Sequence, residues 1–233
     1  MRLEAPLLEG KFVRRYKRFF VDVELENGEI LTAHCPNTGS LEGCKEAGSP
    51  VWLRDSQNEK RKLRHTWQAV QIGRSWVNVD TGLPNHVVRH AVENGKVPEL
   101  TGYASVRPEV KYGTGSRIDL LLEDENRPPC YVEIKNTTLA RGKVALFPDA
   151  VTSRGLKHLG ELIEVVENGG RAVQFFFVSR ADVTSFRPAD DVDPAYTRAL
   201  REAEAAGVEI LAYTAKVARD RLALSKPLPI DLS

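Results

Sequence analysis

Two neighbouring strand-like segments constrain the fold more than any other part of this sequence. The stretch SRIDLLLEDENRPPCYVEIKN places Asp119 in one predicted strand, at 117–123, and Glu133 and Lys135 in the next, at 130–136. Side chains two residues apart in a strand point to the same face of a sheet. The opposite face is predicted to carry five apolar residues, namely Ile118, Leu120, Leu122, Val132 and Ile134. The apolar face of the two strands is therefore expected to pack against the core, while Asp119, Glu133 and Lys135 project from the other face.

The two carboxylates are expected to meet on that face. Thirteen residues separate Asp119 from Glu133, which suits a hairpin that brings two like charges together. A hard divalent cation, Mg²⁺ or Mn²⁺, relieves the repulsion by taking oxygens from Asp119, Glu133 and the carbonyl of Ile134. Such an ion activates a bound water and stabilises charge on a phosphoryl oxygen, and Lys135 is expected to orient that water. The alternative is a surface hairpin in which Asp119 and Lys135 form a cross-strand ion pair.

The elements around this hairpin predict a mixed α/β domain over residues 83–233. Apolar residues at helical spacing after Pro84 indicate its first helix. The segment 172–179, AVQFFFVS, is typical of a central strand buried on both faces. The other predicted elements are strands at 102–112 and 208–213 and helices at 149–167 and 194–206. The resulting order, α-β-β-β-α-β-α-β, contains the core order of the PD-(D/E)XK nuclease fold, whose acid-acid-lysine signature the hairpin matches.

The first 82 residues predict a small barrel of strands. Asn27-Gly28 is a strong signal for a hairpin turn between two of them. Five strands fit the sequence, at 11–25, 29–35, 50–54, 65–72 and 75–79. That number of short strands in so short a segment suggests a closed barrel of the OB type.

Composition and cysteine usage exclude several classes of protein. The 233 residues include 33 Lys and Arg against 32 Asp and Glu, a formal charge of +1, which excludes a strongly basic coat but not a local basic patch. The three cysteines, Cys35, Cys44 and Cys130, form no C-x-x-C pair, which disfavours a disulfide framework or zinc finger and favours a reducing compartment. The amino terminus lacks a signal-peptide pattern, and no apolar run approaches a membrane span. We therefore expect a cytoplasmic protein without a membrane partner.

Four sequence blocks give the chain a resemblance to a known family. They are CPNTGSL, YGTGSRIDLLL, YVEIKNTTL and ALFPDAVTSRGLKHLGEL, which run in order along nearly the whole chain. Together they resemble the sugar fermentation stimulation protein (SfsA) family. The resemblance implies an OB-like amino-terminal domain followed by a PD-(D/E)XK nuclease-like domain. It also implies DNA binding without marked sequence preference and a link to the regulation of maltose and sugar utilisation.

Two residues of the long predicted helix are further catalytic candidates. Arg154 and His158 are four residues apart and so share one helix face beside the hairpin. They are candidates to bind a scissile phosphate, and His158 is also a candidate proton relay. The alternative is that His158 packs against the sheet beside Leu162. Asp149 is expected to cap the start of this helix, with a catalytic role as the less favoured interpretation.

Glu109 is a further candidate metal ligand, and its facing depends on one turn. A three-residue turn at 113–115 sets Glu109 opposite Asp119, whereas a turn of two or four residues sets it opposite Leu120 on the apolar face. Glu93, at the end of the first helix, is the rival for the same role.

Two basic clusters are candidates for nucleic-acid binding. One is interleaved with aromatic residues near the amino terminus, and the other lies in a predicted loop before Trp67. On an OB-like barrel such groups follow a phosphate backbone while aromatic rings stack on bases. The alternative is a solvated strand face and a solubilising loop. The clusters are Lys11, Arg14, Arg15, Lys17 and Arg18, and Lys60, Arg61, Lys62 and Arg64.

The sequence leaves three interpretations of function. The first is a Mg²⁺-dependent nuclease acting on DNA. The second is a DNA-binding regulatory factor, linked to sugar metabolism, whose nuclease-like domain does not cleave. The third is an interaction protein that uses its barrel to bind another protein. The presence of all three residues of the acid-acid-lysine motif favours the first.

Overall fold

Six strands form a closed barrel in the first third of the chain. The computed structural model describes residues 1–3, 6–113 and 115–233. The barrel strands are β1 (Leu7–Tyr16), β2 (Phe20–Glu24), β3 (Ile30–His34), β4 (Pro50–Asp55), β5 (His65–Ile72) and β6 (Ser75–Asn78). Their order across the sheet is β3-β2-β1-β4-β5-β6, and β3 also pairs in parallel with β5, so the sheet closes on itself. Trp67, Phe12 and Leu53 fill its interior with smaller apolar residues. The predicted OB-like barrel is confirmed.

The predicted strand at 11–25 is wrong, because it is two strands. The chain reverses between Tyr16 and Phe20, which pair across β1 and β2. Lys17 and Arg18 form the reversal in the left-handed region, with φ of 47° and 62°. Glycine and asparagine normally signal such backbone conformations, so two basic residues gave no turn signal. The barrel therefore has six strands instead of five.

The rest of the described chain is a mixed α/β unit with three α-helices. Its central sheet has the order β15-β14-β12-β9-β8-β7, and β10, β11 and β13 form a small second sheet. A single 3₁₀ turn, Pro98–Leu100, follows the first helix. The elements are α1 (Pro84–Glu93), β7 (Ser105–Tyr112), β8 (Ser116–Asp124), β9 (Arg127–Thr137), β10 (Ala140–Arg141), β11 (Val144–Phe147), α2 (Ser153–Glu167), β12 (Arg171–Val178), β13 (Ser185–Pro188), α3 (Pro194–Ala205), β14 (Glu209–Ala218) and β15 (Arg221–Pro227).

The central sheet is buried on both faces. Leu120, Leu122 and Val132 lie in one core with α1, and Phe176 lies in a second core with α2 and α3. β12 pairs in parallel with both β9 and β14, and seven of its eight residues are buried, as its apolar sequence predicts. Ile118, predicted to share a face with Leu120, packs instead in the second core, with Val110 and Tyr112 of the neighbouring strand.

Three details of the predicted order are wrong. The strands β10, β11, β13 and β15 were missed, because segments of two to seven residues with mixed polarity carry little periodic signal. Helix α2 begins at Ser153, not at 149, and its cap is Thr152, whose hydroxyl accepts a hydrogen bond from the amide of Gly155 at 3.0 Å. Asp149 is therefore not the cap. The predicted strand at 102–112 begins at Ser105.

The barrel is docked on the α/β unit by polar contacts. The amide of Asn78 donates to the carbonyl of Ser179 at 2.9 Å. The amide of Leu41 donates to the Asp149 carboxylate at 2.9 Å. At the amino terminus, the Met1 ammonium donates to the carbonyl of Leu222 at 2.9 Å. The division of the chain into domains at residues 82 and 83 stays a prediction. No helix in the described ranges has the length and apolarity needed to cross a membrane.

Candidate active site

The site forms where strands β8 and β9 separate. Their ladder pairs Leu120 with Val132. One residue further, the Asp119 side chain takes the place of a backbone partner, and its Oδ2 accepts a hydrogen bond from the Ile134 amide at 2.6 Å. The other oxygen, Oδ1, accepts from the Asn85 amide group of α1 at 2.7 Å. Asp119 is thus fixed by a strand and a helix at the point where the sheet opens.

Glu133 is the buried centre of the site. It is 3% exposed on β9, and its Oε1 accepts a hydrogen bond from Lys135 Nζ at 2.7 Å. Nδ1 of His158, on α2, forms a short hydrogen bond with the same oxygen. Oε2 is buried and has no hydrogen-bond partner within the described part of the chain. An unsatisfied buried carboxylate oxygen is costly, so this atom is a ready ligand for a cation or a donor.

Hydrogen bonding favours one tautomer of His158. Arg154 Nε donates to His158 Nε2 at 3.3 Å, so Nε2 is the acceptor nitrogen. The ring proton therefore lies on Nδ1, from which it is donated to Glu133. Lys135 Nζ lies 3.2 Å from the same Nδ1. The expected sharing of one helix face by Arg154 and His158 is confirmed, and His158 is held by polar partners as well as by burial.

The electrostatics of the two carboxyl groups differ. Burial, followed by the nearby charge of Glu133, raises the pKa of Asp119 to about 7. Burial also opposes ionisation of Glu133, but the hydrogen bond from His158 and the charge of Lys135 outweigh it and lower the pKa of Glu133. Two groups with separated pKa values in one cleft are a frequent mark of a functional site.

A cleft of about 440 Å³ opens over these residues. Three basic side chains, Arg117, Arg154 and Lys157, line it together with Glu109, Asp119, Glu133 and His158. The pairing of Tyr112 with Ser116 and of Val110 with Ile118 sets Glu109 opposite Asp119, in the register of a three-residue turn. Residue 114, which the prediction of a turn at 113–115 includes, lies outside the described residues.

Glu109 has an unusual backbone for a strand residue. Its φ is 54°, in the left-handed region, directly after Pro108. Strain of this kind costs about 1–3 kcal/mol and concentrates at functional sites. The rival candidate Glu93 lies elsewhere, in an exposed ion pair with Arg89 at 2.7 Å and beside a different cleft. Among the acids outside the hairpin, Glu109 is thus the better placed.

The residues present form an incomplete set for a metal ion. No group of three or more His, Cys, Asp or Glu side chains is assembled for metal binding in the described ranges. Two carboxylates, one of them with an unpartnered oxygen, nevertheless fit Mg²⁺ or Mn²⁺, which prefer oxygen ligands and keep several waters. A backbone carbonyl and substrate phosphate oxygens are the further ligands that such a site normally uses.

Two residues of the site were not predicted. Gln174 is fully buried on β12 and donates through Nε2 to the Glu133 carbonyl at 3.0 Å. It is the only uncharged polar residue of that strand, and a lone amide in a buried apolar strand is a sequence signal that could have indicated a site residue. Asn85, which donates to Asp119, lies in the first turn of α1, where an amide residue attracts no notice.

The basic clusters of the barrel are partly occupied by protein contacts. Arg14 pairs with Asp22 at 2.8 Å. Arg64 forms a two-pronged pair with Asp55, at 2.7 Å for each hydrogen bond. The Arg15 guanidinium donates to backbone carbonyls of the loop at 37–40. Six other members are exposed, and their part in nucleic-acid binding stays a prediction: Lys11, Lys17, Arg18, Lys60, Arg61 and Lys62.

A barrel of OB type joined to a mixed α/β unit, with a cleft over Asp119 and Glu133, defines the class of protein. Two family models match these parts: "SfsA N-terminal OB domain" over residues 13–79 and "Sugar fermentation stimulation protein RE domain" over residues 82–221. The chain belongs to the sugar fermentation stimulation protein family.

Relatives of full length agree with this assignment. The sugar fermentation stimulation protein homolog of Geobacter sulfurreducens is 54% identical over 230 residues, covering 99% of this chain and 98% of the relative. The homolog of Maricaulis maris is 52% identical over 234 residues, covering 100% of both. Pyrococcus furiosus SfsA, solved in complex with Ca²⁺, aligns with a TM-score of 0.88 at 28% identity, covering 99% of this chain and 98% of that one. The fold, including the OB-like barrel, is therefore shared along the whole chain.

Proposed function

We propose that this protein is a metal-dependent nuclease that hydrolyses phosphodiester bonds of DNA with little sequence preference. The observation that carries the proposal is the state of Glu133. Its carboxylate is buried and kept ionised by Lys135 and His158, and one of its oxygens has no partner among the described residues beside a second carboxylate, Asp119. A purely structural ion pair has no need of an unsatisfied oxygen or a second acid.

Asp119 and Glu133 would hold the metal, Mg²⁺ or Mn²⁺, with the Ile134 carbonyl as a third ligand and Glu109 as a candidate fourth. When bound, such an ion supplies a Lewis acid that lowers the pKa of a water and stabilises negative charge on the phosphoryl group. Pyrococcus furiosus SfsA was solved in complex with Ca²⁺, a cation that, like Mg²⁺, is bound by oxygen atoms, and this supports a divalent cation here.

The protein's own residues supply the remaining chemistry. Lys135 Nζ, now 2.7 Å from Glu133, positions the attacking water and offsets charge that develops on the phosphate. Arg154 lines the cleft and binds a phosphate oxygen of the substrate. His158 acts through Glu133, because its Nδ1 proton keeps that carboxylate ionised, and so it is a positioning residue. The water oxygen bonds to phosphorus as the bond from phosphorus to the leaving strand's oxygen breaks. The proton that the attacking water loses passes to solvent, and the leaving oxygen takes up a proton from solvent.

DNA is the proposed substrate because the barrel presents exposed basic side chains that suit a phosphate backbone, including Lys11, Lys17, Lys60 and Lys62. Contacts to phosphate position a nucleic acid but carry no sequence information, so low sequence preference is expected. A cytoplasmic location belongs to the same proposal, and the three cysteines, which are all free and buried, support a reducing compartment.

One observation favours a second candidate, a DNA-binding regulatory factor of sugar metabolism without catalysis. The ion pair between Lys135 and Glu133 at 2.7 Å and the two hydrogen bonds to Asp119 already give both acids partners inside the protein. In that case the parent protein binds DNA and leaves it uncut.

The test is cleavage of single-stranded DNA, double-stranded DNA and RNA by highly purified protein in Mg²⁺ or Mn²⁺. We expect metal-dependent cleavage by the parent, a loss of about a hundredfold or more in Lys135→Ala, and parent activity in Lys96→Ala, which removes an exposed lysine outside the cleft. Absence of cleavage with every ion and every substrate would overturn the nuclease proposal and leave the regulatory one.

A further inference from the structure

A second cleft, of about 600 Å³, lies between the barrel and the α/β unit. Its walls come from both parts of the molecule. The barrel side contributes Arg15, Arg18 and Lys45, and the α/β side contributes Asn136, Phe147 and Thr152. A cleft of this volume is in the range that binds small organic molecules, roughly 300–1,000 Å³.

One wall of this interdomain cleft is a rigid loop held from both sides. Arg15 donates to the carbonyl of Asn37 at 2.7 Å and to that of Gly39 at 2.9 Å. From the α/β unit, Asp149 accepts from the Leu41 amide at 2.9 Å. A side chain at Gly39 has no room, since a Cβ would lie 2.4 Å from Asp149 Oδ1. The wall is thus a preformed surface.

The charge of the interdomain cleft favours an anion. Three cations, Arg15, Arg18 and Lys45, face a single carboxylate, Asp149, whose Oδ2 is already bonded to the loop. Asn136 adds a donor, because its Nδ2 is buried without a hydrogen-bond partner in the part of the chain that the structure describes. A phosphate-bearing ligand satisfies both features.

The interdomain cleft adjoins the catalytic one. Thr152, which lines the interdomain cleft, caps the helix on which Arg154 lines the catalytic cleft two residues later. At the rim stands Val151, which is 78% exposed although it is apolar. A strand that leaves the catalytic cleft past the start of α2 therefore meets the interdomain cleft next.

We propose that the interdomain cleft holds one unpaired nucleotide of the substrate strand, adjacent to the scissile phosphate. This inference rests on the proposed nuclease function and narrows its substrate to nucleic acids with a single-stranded segment. A base inside a duplex cannot enter such a cleft without leaving the stack, whereas an unpaired nucleotide enters without that cost. The phosphate lies against Arg18 and Lys45, and the base lies toward Phe147 and Val151.

Binding measured without metal tests the inference, because nothing is cut. The probes are a fluorescent DNA hairpin with a short single-stranded tail and the same hairpin with a blunt end, both in EDTA. For the double variant Arg18→Gln with Lys45→Gln, we expect about tenfold weaker binding of the tailed probe and a clearly smaller loss for the blunt one, because Arg18 also belongs to the exposed basic cluster of the barrel. The dependence of binding on salt should also flatten for the tailed probe, by about 0.7 in log–log slope for each single-strand phosphate that the variant no longer neutralises.

A matched control removes two charges elsewhere on the barrel. Lys60→Gln with Lys62→Gln lies outside the interdomain cleft and should weaken both probes equally. Arg18→Ala with Lys45→Ala repeats the test with shorter side chains, and circular dichroism checks that each variant folds. If the Arg18 and Lys45 variants weaken both probes equally, or neither, the inference is overturned. If the Arg18 and Lys45 variants lose more affinity for the tailed probe than for the blunt one and the parent protein cuts no nucleic acid, the inference about the interdomain cleft stands and the nuclease proposal is rejected.

Discussion

Asp119 and Glu133 show how two carboxyl groups acquire different states within one cleft. Glu133 is ionised because His158 and Lys135 both hydrogen-bond one of its oxygens. The donors to Asp119 in the described part of the chain, the Ile134 amide and the Asn85 side chain, are neutral, and burial and the charge of Glu133 raise its pKa to about 7. Asp119 is therefore the residue whose protonation controls the site near neutral pH.

Metal affinity should depend on pH through Asp119. A cation binds the ionised carboxylate and must displace the proton below the pKa of about 7, so the apparent Mn²⁺ affinity should fall by about tenfold for each pH unit below that value and level off above it. Calorimetric titration from pH 5 to 9 measures this. In Asn85→Ala the lost hydrogen bond should move the inflection to higher pH. An affinity that stays constant between pH 5 and 7 would contradict the assignment of Asp119 as a ligand.

Asp119 also determines the direction in which the free energy of unfolding changes with pH when no metal is bound. The folded pKa of Asp119, about 7, lies above its ordinary value of 3.8, so the folded state binds more protons between these values. Unfolding free energy should therefore fall as pH rises from about 4 to about 7, through the contribution of this residue. Urea denaturation of the parent and of Asp119→Asn, both in EDTA and over a pH series, isolates the contribution of Asp119. The difference in unfolding free energy between the two proteins should change between about pH 4 and about pH 7. A difference that stays constant over this range would contradict the raised pKa of Asp119.

At the scale of elements, the loop at 35–44 joins the two parts of the molecule. Gly39 is packed against Asp149 so closely that alanine should lower the free energy of unfolding by about 1–3 kcal/mol through overpacking. Asp149→Ala alone should cost about 1 kcal/mol through loss of the bond to the Leu41 amide. The double variant should be less destabilised than the sum, because the clash is gone. Chemical denaturation measures the cycle, and strict additivity would contradict the close approach of Gly39 to Asp149.

The elements also show what the sequence could and could not reveal. The strands around Asp119 and Glu133 and the apolar β12 follow from alternation and continuous hydrophobicity, and the structure contains all of them. The reversal at Lys17 and Arg18 carries no glycine signal, and the short β10 and β11 have too few residues for a period.

The start of α2 and the facing of Glu109 illustrate a second limit. Several residues before the helix are able to cap it, and tertiary contacts decide the matter: Asp149 bonds across to Leu41, which leaves the cap to Thr152. The position of Glu109 depends on a turn length that local sequence leaves open. Asn85 and Gln174 reach the site from other elements, which only the assembled fold reveals.

For the whole molecule, the overall charge of +1 hides an uneven distribution. Exposed basic residues lie on the barrel, whereas Arg14, Arg15 and Arg64 are engaged with the protein itself. DNA affinity should therefore fall with salt more gently than for a uniformly basic protein. In the proposed function, the cleft over Asp119 and Glu133, the interdomain cleft and these basic residues all bind one nucleic-acid ligand.

The loop before Trp67 provides a graded test of that distribution. Changing Lys60, Arg61 and Lys62 to serine should flatten the salt dependence of duplex binding, by about 0.9 in log–log slope for each phosphate that the variant no longer neutralises. Arg64→Ser should change it little, since Arg64 is paired with Asp55 at 2.7 Å. Fluorescence anisotropy over a salt series measures both. Equal slopes for parent and triple variant would remove this loop from the DNA-binding surface.

The most direct measurement of the central claim is calorimetric Mn²⁺ binding to the parent, Glu133→Gln and Lys135→Ala, with and without an uncleavable DNA. We predict weak binding to the parent, tightened by DNA as phosphate oxygens complete the ligand set. Glu133→Gln should lose it while remaining folded. Lys135→Ala should bind at least as tightly, because Lys135 competes for Glu133 Oε1. No Mn²⁺ binding to the parent, with or without DNA, would contradict the account and leave Lys135 and Glu133 as a structural ion pair.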